Sequence, residues 1–185
     1  YRPVGYMQSV DWVGEDVWFA HSVYVNAEEI GVFAKHNCGV AHCPTSNLFL
    51  GSGCLNVENL QRAARPVRVG LATDLGAGTS FSQLQTMSEA YKVAQLNSNA
   101  LSAWHAYYLA TRGAAHALYM DDTIGSLAPG YEADLVVLDM KSTPLIDYRI
   151  AGYVEVLDRF VKALSIERAA FLGHSLGGWI VAEFA

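Results

Sequence analysis

Three polar residues able to bind metal or move protons, His21, His42 and Asp74, each follow a short apolar run: Val17–Ala20, Cys38–Ala41 and Val67–Ala72. A neutral imidazole and a carboxylate suit zinc, and a carboxylate beside an activated water can also carry its proton. One histidine at one strand end is ordinarily a hydrogen-bonded structural residue. Three such groups at the ends of consecutive parallel strands converge on one rim, which is how β/α enzymes present their sites. The two richest runs are AHCPTSNLFLGSG (41–53) and VGLATDLGAGTSFS (69–82). Each reads as a strand ending on its polar group and opening into a Gly/Ser/Thr/Asn loop. Gly51, Gly53, Gly76 and Gly78 suit such turns. They also let backbone amides approach a flat heterocycle, and both readings stay open.

A second constellation lies at GHSLGG (173–178). It fits G-x-S-x-G, a strained strand-to-helix turn that lifts the serine, here Ser175, clear of its strand. The amide of Leu176 would then form part of an oxyanion hole. After Ser175 come Glu183 and no histidine, whereas in that fold the acid and the base follow the serine. A Gly-rich strand-helix turn without catalysis is the competing reading. The three cysteines, Cys38, Cys43 and Cys54, show no CxxC spacing and are expected to be reduced, buried thiols of a cytoplasmic protein.

The elements that must hold these groups follow from the pattern. Val17–Ala20 reads as a buried strand. Asn26 is a helix N-cap with Glu29 three residues on, and Ile30, Val32, Phe33 and Ala34 supply the apolar face up to His36–Asn37. Cys38–Ala41 is a second strand, Asn56–Ala64 a helix closed by Pro66, and Val67–Ala72 a third strand. Strand, helix, strand, helix, strand is the grammar of a parallel sheet. Two helices follow, over 81–96 and 102–119, the second interrupted at Gly113. A turn-rich stretch, Ile124–Gly130, precedes a strand at Asp134–Asp139. Beyond Pro144, Tyr153–Leu164 carries a helical stripe, Ala169–Leu172 reads as a strand and Leu176–Ala185 as a helix.

A length of 185 residues suits one ordinary domain and is short for a complete (β/α)8 barrel, which takes about 250. The net charge of −6 argues against nucleic acid and anionic membranes as partners, since both call for a basic face. No apolar stretch is long enough to span a bilayer. The opening Tyr1–Tyr6 lacks the basic and apolar regions of a signal peptide and reads like a chain entered midway.

From about Val17 to Tyr148 the order of motifs resembles guanine deaminases of the amidohydrolase superfamily, from barrel strand six onward. The runs AHCPTSNLFLGSG (41–53) and VGLATDLGAGTSFSQLQTMSEAYKV (69–93) carry the resemblance. LSAWHAYYLATRGAAHAL (101–118) and IGSLAPGYEADLVVLD (124–139) resemble the closing helix and the small β-sandwich of that family. RPVGYMQSVDWVGEDVWFAH (2–21) is closer to the related 8-oxoguanine and triazine aminohydrolases. The resemblance implies zinc-dependent hydrolytic deamination of a small purine base, guanine to xanthine and ammonia. By motif, Asp74 would be the strand-eight zinc ligand and proton shuttle. His21 would hold or orient the attacking water, while His42, Asn47, Gly76 and Gly78 would shape the substrate pocket. Ala72 stands where the family usually has glycine, and Tyr131 where it has lysine.

The family's His-x-His pair and His-x-x-Glu run occur nowhere in the sequence. The isolated chain is therefore expected to be inactive as a deaminase, for want of zinc ligands. The last 33 residues, YVEVLDRFVKALSIERAAFLGHSLGGWIVAEFA (153–185), resemble the helix-strand-elbow-helix core of α/β-hydrolases. The expected organisation is α/β: the late half of a barrel over 1–123, part of a β-sandwich over 124–150, and an α/β-hydrolase-like fragment over 151–185. A serine esterase-like activity at Ser175 and a non-catalytic composite are the alternatives, and homo-oligomer formation stays open.

Overall fold

The computed structural model describes residues 3–137 together with Glu155, Asp158, Arg159 and Lys162. The chain divides into two compact units, Tyr1–Asp134 and Leu135–Ala185. The first unit runs α1 (Pro3–Ser9), β1 (Trp18–Ala20), α2 (Ala27–His36), β2 (Gly39–His42), α3 (Pro44–Leu50), α4 (Val57–Gln61), β3 (Arg68–Leu71), α5 (Gln83–Leu96), α6 (Ala103–Ala110) and α7 (Arg112–Ala117). The three strands form one parallel sheet in the order β1-β2-β3.

Each helix begins where a side chain can satisfy its free amides. Asn26 accepts from the amides of Glu28 and Glu29, and the Glu29 carboxylate accepts from the Asn26 amide, closing a capping box. Asn56, Ser82 and Ser102 cap α4, α5 and α6 in the same way. At the far end of α2, Asn37 takes a left-handed conformation and ends the helix.

Strand alternation divides the sheet into two faces. Register pairs Val40 with Val69 and His42 with Leu71, so these residues share a face. They join Phe33 of α2, Leu60 of α4, Ala90 of α5 and Leu109 of α6 in the core, apart from His42, which borders a cavity. Phe33, Leu60 and Leu109 are buried, each worth about 1.5–3 kcal/mol of burial. The opposite face carries Gly39, Ala41, Arg68 and Gly70, and α7 lies against it. A side chain at Gly70 would stand 2.7 Å from the Ala114 Cα. Arg68 donates to the carbonyl of His116 at 3.0 Å and lies 3.7 Å above the Tyr119 ring, whose hydroxyl donates to the carbonyl of Asn37.

Several expectations need correction. β1 is an edge strand rather than a buried one: Trp18 is 48% exposed, and only Phe19 turns inward, stacking on Phe33 at 4.5 Å. An edge strand has a neighbour on one side alone, here β2. The stretch after His42 is helix α3 rather than a loop. Pro44 occupies its first turn, where a missing amide costs nothing, and Gly51 ends it at positive φ. The break near Gly113 falls at Thr111, between α6 and α7. Asp134–Val137 form no strand, and Leu135, Val136 and Val137 are exposed, with no sheet neighbour to take their amides. Helix α1 was not foreseen; its only buried residue is Val4.

In the second unit Glu155, Asp158, Arg159 and Lys162 are helical. Arg159 pairs with Glu155 and Lys162 with Asp158, each one turn apart, as the stripe over 153–164 anticipates. The remaining sandwich and elbow expectations, Ser175 included, lie outside the described residues. No helix among the described residues is long and apolar enough to cross a membrane.

The Gly70–Ala114 contact generates a stability prediction. Gly70→Ala should destabilise the fold by about 1–3 kcal/mol through overpacking, read as a lower urea midpoint at unchanged m. Ala114→Gly should not restore the loss, because the nearest obstructing atom is backbone. Full rescue would mean that α7 does not sit on Gly70.

Candidate metal and proton-transfer site

The end of β2 is flanked by the residues that follow β1 and β3. The amide of His21 donates to the carbonyl of Ala41 at 2.9 Å, and that of Ala72 to the carbonyl of His42 at 2.9 Å. Both bonds extend the ladder one step past the assigned strands. The chain then turns sharply on each side: His21 and Ser22 have φ of 63° and 51°, and Asp74 has φ of 46°. Left-handed conformations are uncommon outside glycine, although His and Asp accept them more readily than most residues. Such strain persists only where surroundings over-determine it.

The turns bring His21 Nε2 to 3.6 Å from Asp74 Oδ2, across the end of the intervening strand. Cys43, the first residue past β2, completes a cluster in which one donor atom from each of His21, Cys43 and Asp74 lies within 4.8 Å of the others. Two ligands about 2.1 Å from a tetrahedral metal stand about 3.4 Å apart, so the His21–Asp74 spacing already fits. His21 Nδ1 is buried without a partner. Nitrogen, sulfur and carboxylate oxygen are the donor types zinc prefers, so the residues present fit that ion.

Loop geometry after Asp74 is set by glycine. The Gly78 amide donates to the carbonyl of Asp74 at 2.6 Å, and a side chain at Gly78 would collide with the Thr73 carbonyl. Gly76 has φ of 120° with open space above it. Gly53 is packed closely by Val23 and Tyr24, so that glycine serves the approach of two loops. Asn47 is buried on α3; its Nδ2 donates to Ser52 Oγ at 3.0 Å, and its Oδ1 has no partner.

His42 stands apart from the three-donor cluster. It is 2% exposed and lines a cavity of about 90 Å³ with Leu55, Ala90, Val93 and Leu109, on the helix-covered side of the sheet. Its Nδ1 is buried and unpartnered. Burial, with a smaller contribution from the nearby charge of His21, pushes its pKa from 6.5 down to about 4. Burial pushes the Cys43 thiol up, against a lowering backbone hydrogen bond at His21, and the Asp74 carboxylate adds to the rise. Sequence reasoning brought His21 and Asp74 together and missed Cys43. Strand parity was the available clue: Ala41 pairs with Gly70, so Cys43 and Asp74 continue one face while His42 continues the other.

Chains of known structure and function place this arrangement. The Amidohydrolase family profile matches residues 2–171, stopping before Gly173–Gly178. Guanine deaminase of Escherichia coli is 43% identical over 153 residues, covering 83% of this chain and 34% of that protein. The solved E. coli guanine deaminase superposes with a TM-score of 0.72 at 44% identity, over 78% of this chain and 34% of that one. An adenosine deaminase from Xanthomonas campestris with bound zinc superposes with a TM-score of 0.69 at 30% identity, over 80% and 35%. The chain belongs to the amidohydrolase family. It spans about a third of the length of these relatives.

The buried His42 sets a pH dependence. In the unfolded chain it titrates near 6.5, in the native state near 4. Between those values the unfolded chain binds a proton that the native state refuses, so stability rises with pH through that window. A contribution on the order of 3 kcal/mol, fully present above about pH 6.5, should drain away as pH falls toward about 4. Urea midpoints across that range should show the slope, and His42→Gln should flatten it. An equal slope in the variant would assign the effect to other groups.

Proposed function

We propose that this chain carries the Asp74–His21 part of a zinc-dependent purine aminohydrolase site, converting guanine to xanthine and ammonia in the cytoplasm. The observation that carries the reading is the approach of His21 and Asp74 to 3.6 Å over the end of β2. Their neighbours in the E. coli guanine deaminase comparison give the purine class. Asp74 holds zinc through a carboxylate oxygen and takes the proton of the attacking water for delivery to the departing amino group. His21 orients that water from the opposite side. Zinc, when bound, supplies Lewis-acid activation of the water. Asn47, Gly76 and Gly78 shape the space for the heterocycle. His42 supports that rim from behind the sheet, where its neutral imidazole fills the core side of the strand end.

The division of labour is chemically consistent. Asp74 and His21 are each only partly covered, their side chains 34% and 39% exposed, so substrate and water can reach both. A carboxylate poised near neutral pH is a competent proton carrier once its partner water is activated.

The test is binding as well as turnover, because the sequence contains no His-x-His pair. The full 185-residue chain, loaded with zinc and dialysed, should retain the ion and then bind guanine in calorimetry. Asp74→Ala should lose both while keeping its far-ultraviolet dichroism. Zinc content equal in the wild type and Asp74→Ala would overturn the reading.

A further inference from the structure

We propose that the thiolate of Cys43 is a direct ligand of the metal, completing a nitrogen-sulfur-oxygen set with His21 and Asp74 inside this segment alone. The proposal rests on the reading that Asp74 holds zinc, and it adds a donor that neither the resemblance nor the strand-end pattern assigned.

The geometry points to Cys43 in three ways. Its Sγ belongs to a set of donor atoms all within 4.8 Å of one another, so a contraction of about 1 Å brings them to tetrahedral spacing. Its position is fixed by the strand that delivers it, since β2 is the central strand and is paired on both sides. The sulfur has little else to do: its one hydrogen bond is a long S–H contact of 3.4 Å to the carbonyl of Ala41. The other cysteines do not share this setting. Cys38 precedes β2 at its opposite end, and Cys54 lies beyond α3; neither belongs to the cluster.

The chemistry balances without a redox step. Zinc arrives as the divalent ion, the Cys43 S–H bond breaks, its proton leaves to solvent, and a Zn–S bond forms. With the Asp74 carboxylate, the two anionic donors neutralise the ion, and neutral His21 adds the third bond. A fourth position stays open for water, as catalytic zinc requires. A soft sulfur donor also favours zinc over the hard cations that a carboxylate and an imidazole would otherwise admit.

X-ray absorption on the zinc-loaded full chain tests the assignment directly. One sulfur scatterer is expected at about 2.3 Å beside nitrogen and oxygen at about 2.0–2.2 Å. The cobalt-substituted chain should show a sulfur-to-metal charge-transfer band in the near ultraviolet. Cys43→Ser should lose both signatures and weaken zinc binding more than about tenfold, whereas Cys54→Ser should keep them. Thermal melts of the metal-free variants verify that each remains folded, and Cys43→Ala serves as a second variant. Zinc retained in an Asp74-dependent way with no sulfur in the shell would overturn the Cys43 assignment and leave the proposed function standing. A sulfur signature persisting in Cys43→Ser would overturn it in favour of another thiol. No zinc retained at all would overturn both.

Discussion

The parallel register of three short strands is the constraint from which the rest follows. Ala20 pairs with Ala41, and Ala41 with Gly70, so the strands end at one level. Because side chains alternate, that register also decides which residues face the helices and which face away. A shift of one residue in β2 alone would send His42 out of the core and Cys43 into it. The hydrophobic pattern resists the shift, since Val40, Val69 and Leu71 are all buried against Phe33, Leu60 and Leu109. The site is thus held by burial on one face rather than by its own polar contacts, which are few and half exposed.

The opposite face is shaped by the lack of side chains. Gly39 and Gly70 lie under α7, where the Ala117 carbonyl and the Ala114 Cα come within 3 Å of where a Cβ would be. Such close approach gains dispersion contacts along a backbone-to-backbone interface, and it makes the interface intolerant of added atoms. Arg68 pins the same helix at its C-terminus, where a cation opposes the negative end of the peptide dipoles. The strain stored at His21, Ser22 and Asp74 is held by this rigid base: each strained residue follows a strand whose last amide or carbonyl is already bonded to its neighbour.

Much of this was legible in the residues. Asn26 and Glu29 announce α2 because the capping box needs just those two side chains at that spacing. The apolar runs 38–41 and 67–72 announce buried strands for want of any polar alternation. Three features were hidden for physical reasons. Pro44-Thr45-Ser46-Asn47 has the composition of a loop, and its helix is set by the proline at the first turn and by burial of all four residues. Val17–Ala20 has the composition of a buried strand, yet β1 has β2 on one side only, a fact about neighbours that composition does not carry. Cys43 was read as a packing thiol because the eye follows the histidine before it. Its role depends on parity, which assigns residue 43, not 42, to the face where Asp74 emerges.

A metal site and a barrel are separable problems in this chain. Closing a barrel needs strands to abolish both edges of the sheet, and β1 has only β2 beside it among the described residues. Bringing three donors together needs only that two turns lean over the end of the strand between them. The turn after β1 depends on the bond from the His21 amide to the Ala41 carbonyl, and the turn after β3 on the Gly78 bond back to the Asp74 carbonyl. Both are local, made within or between adjacent segments. The half-site is therefore organised by contacts internal to this segment, whereas the electrostatics of turnover require further donors. Holding zinc asks for position; activating water at neutral pH asks also for the hydrogen-bonded surroundings that tune the ligands. The two demands fall on different parts of the fold, and this segment meets the first.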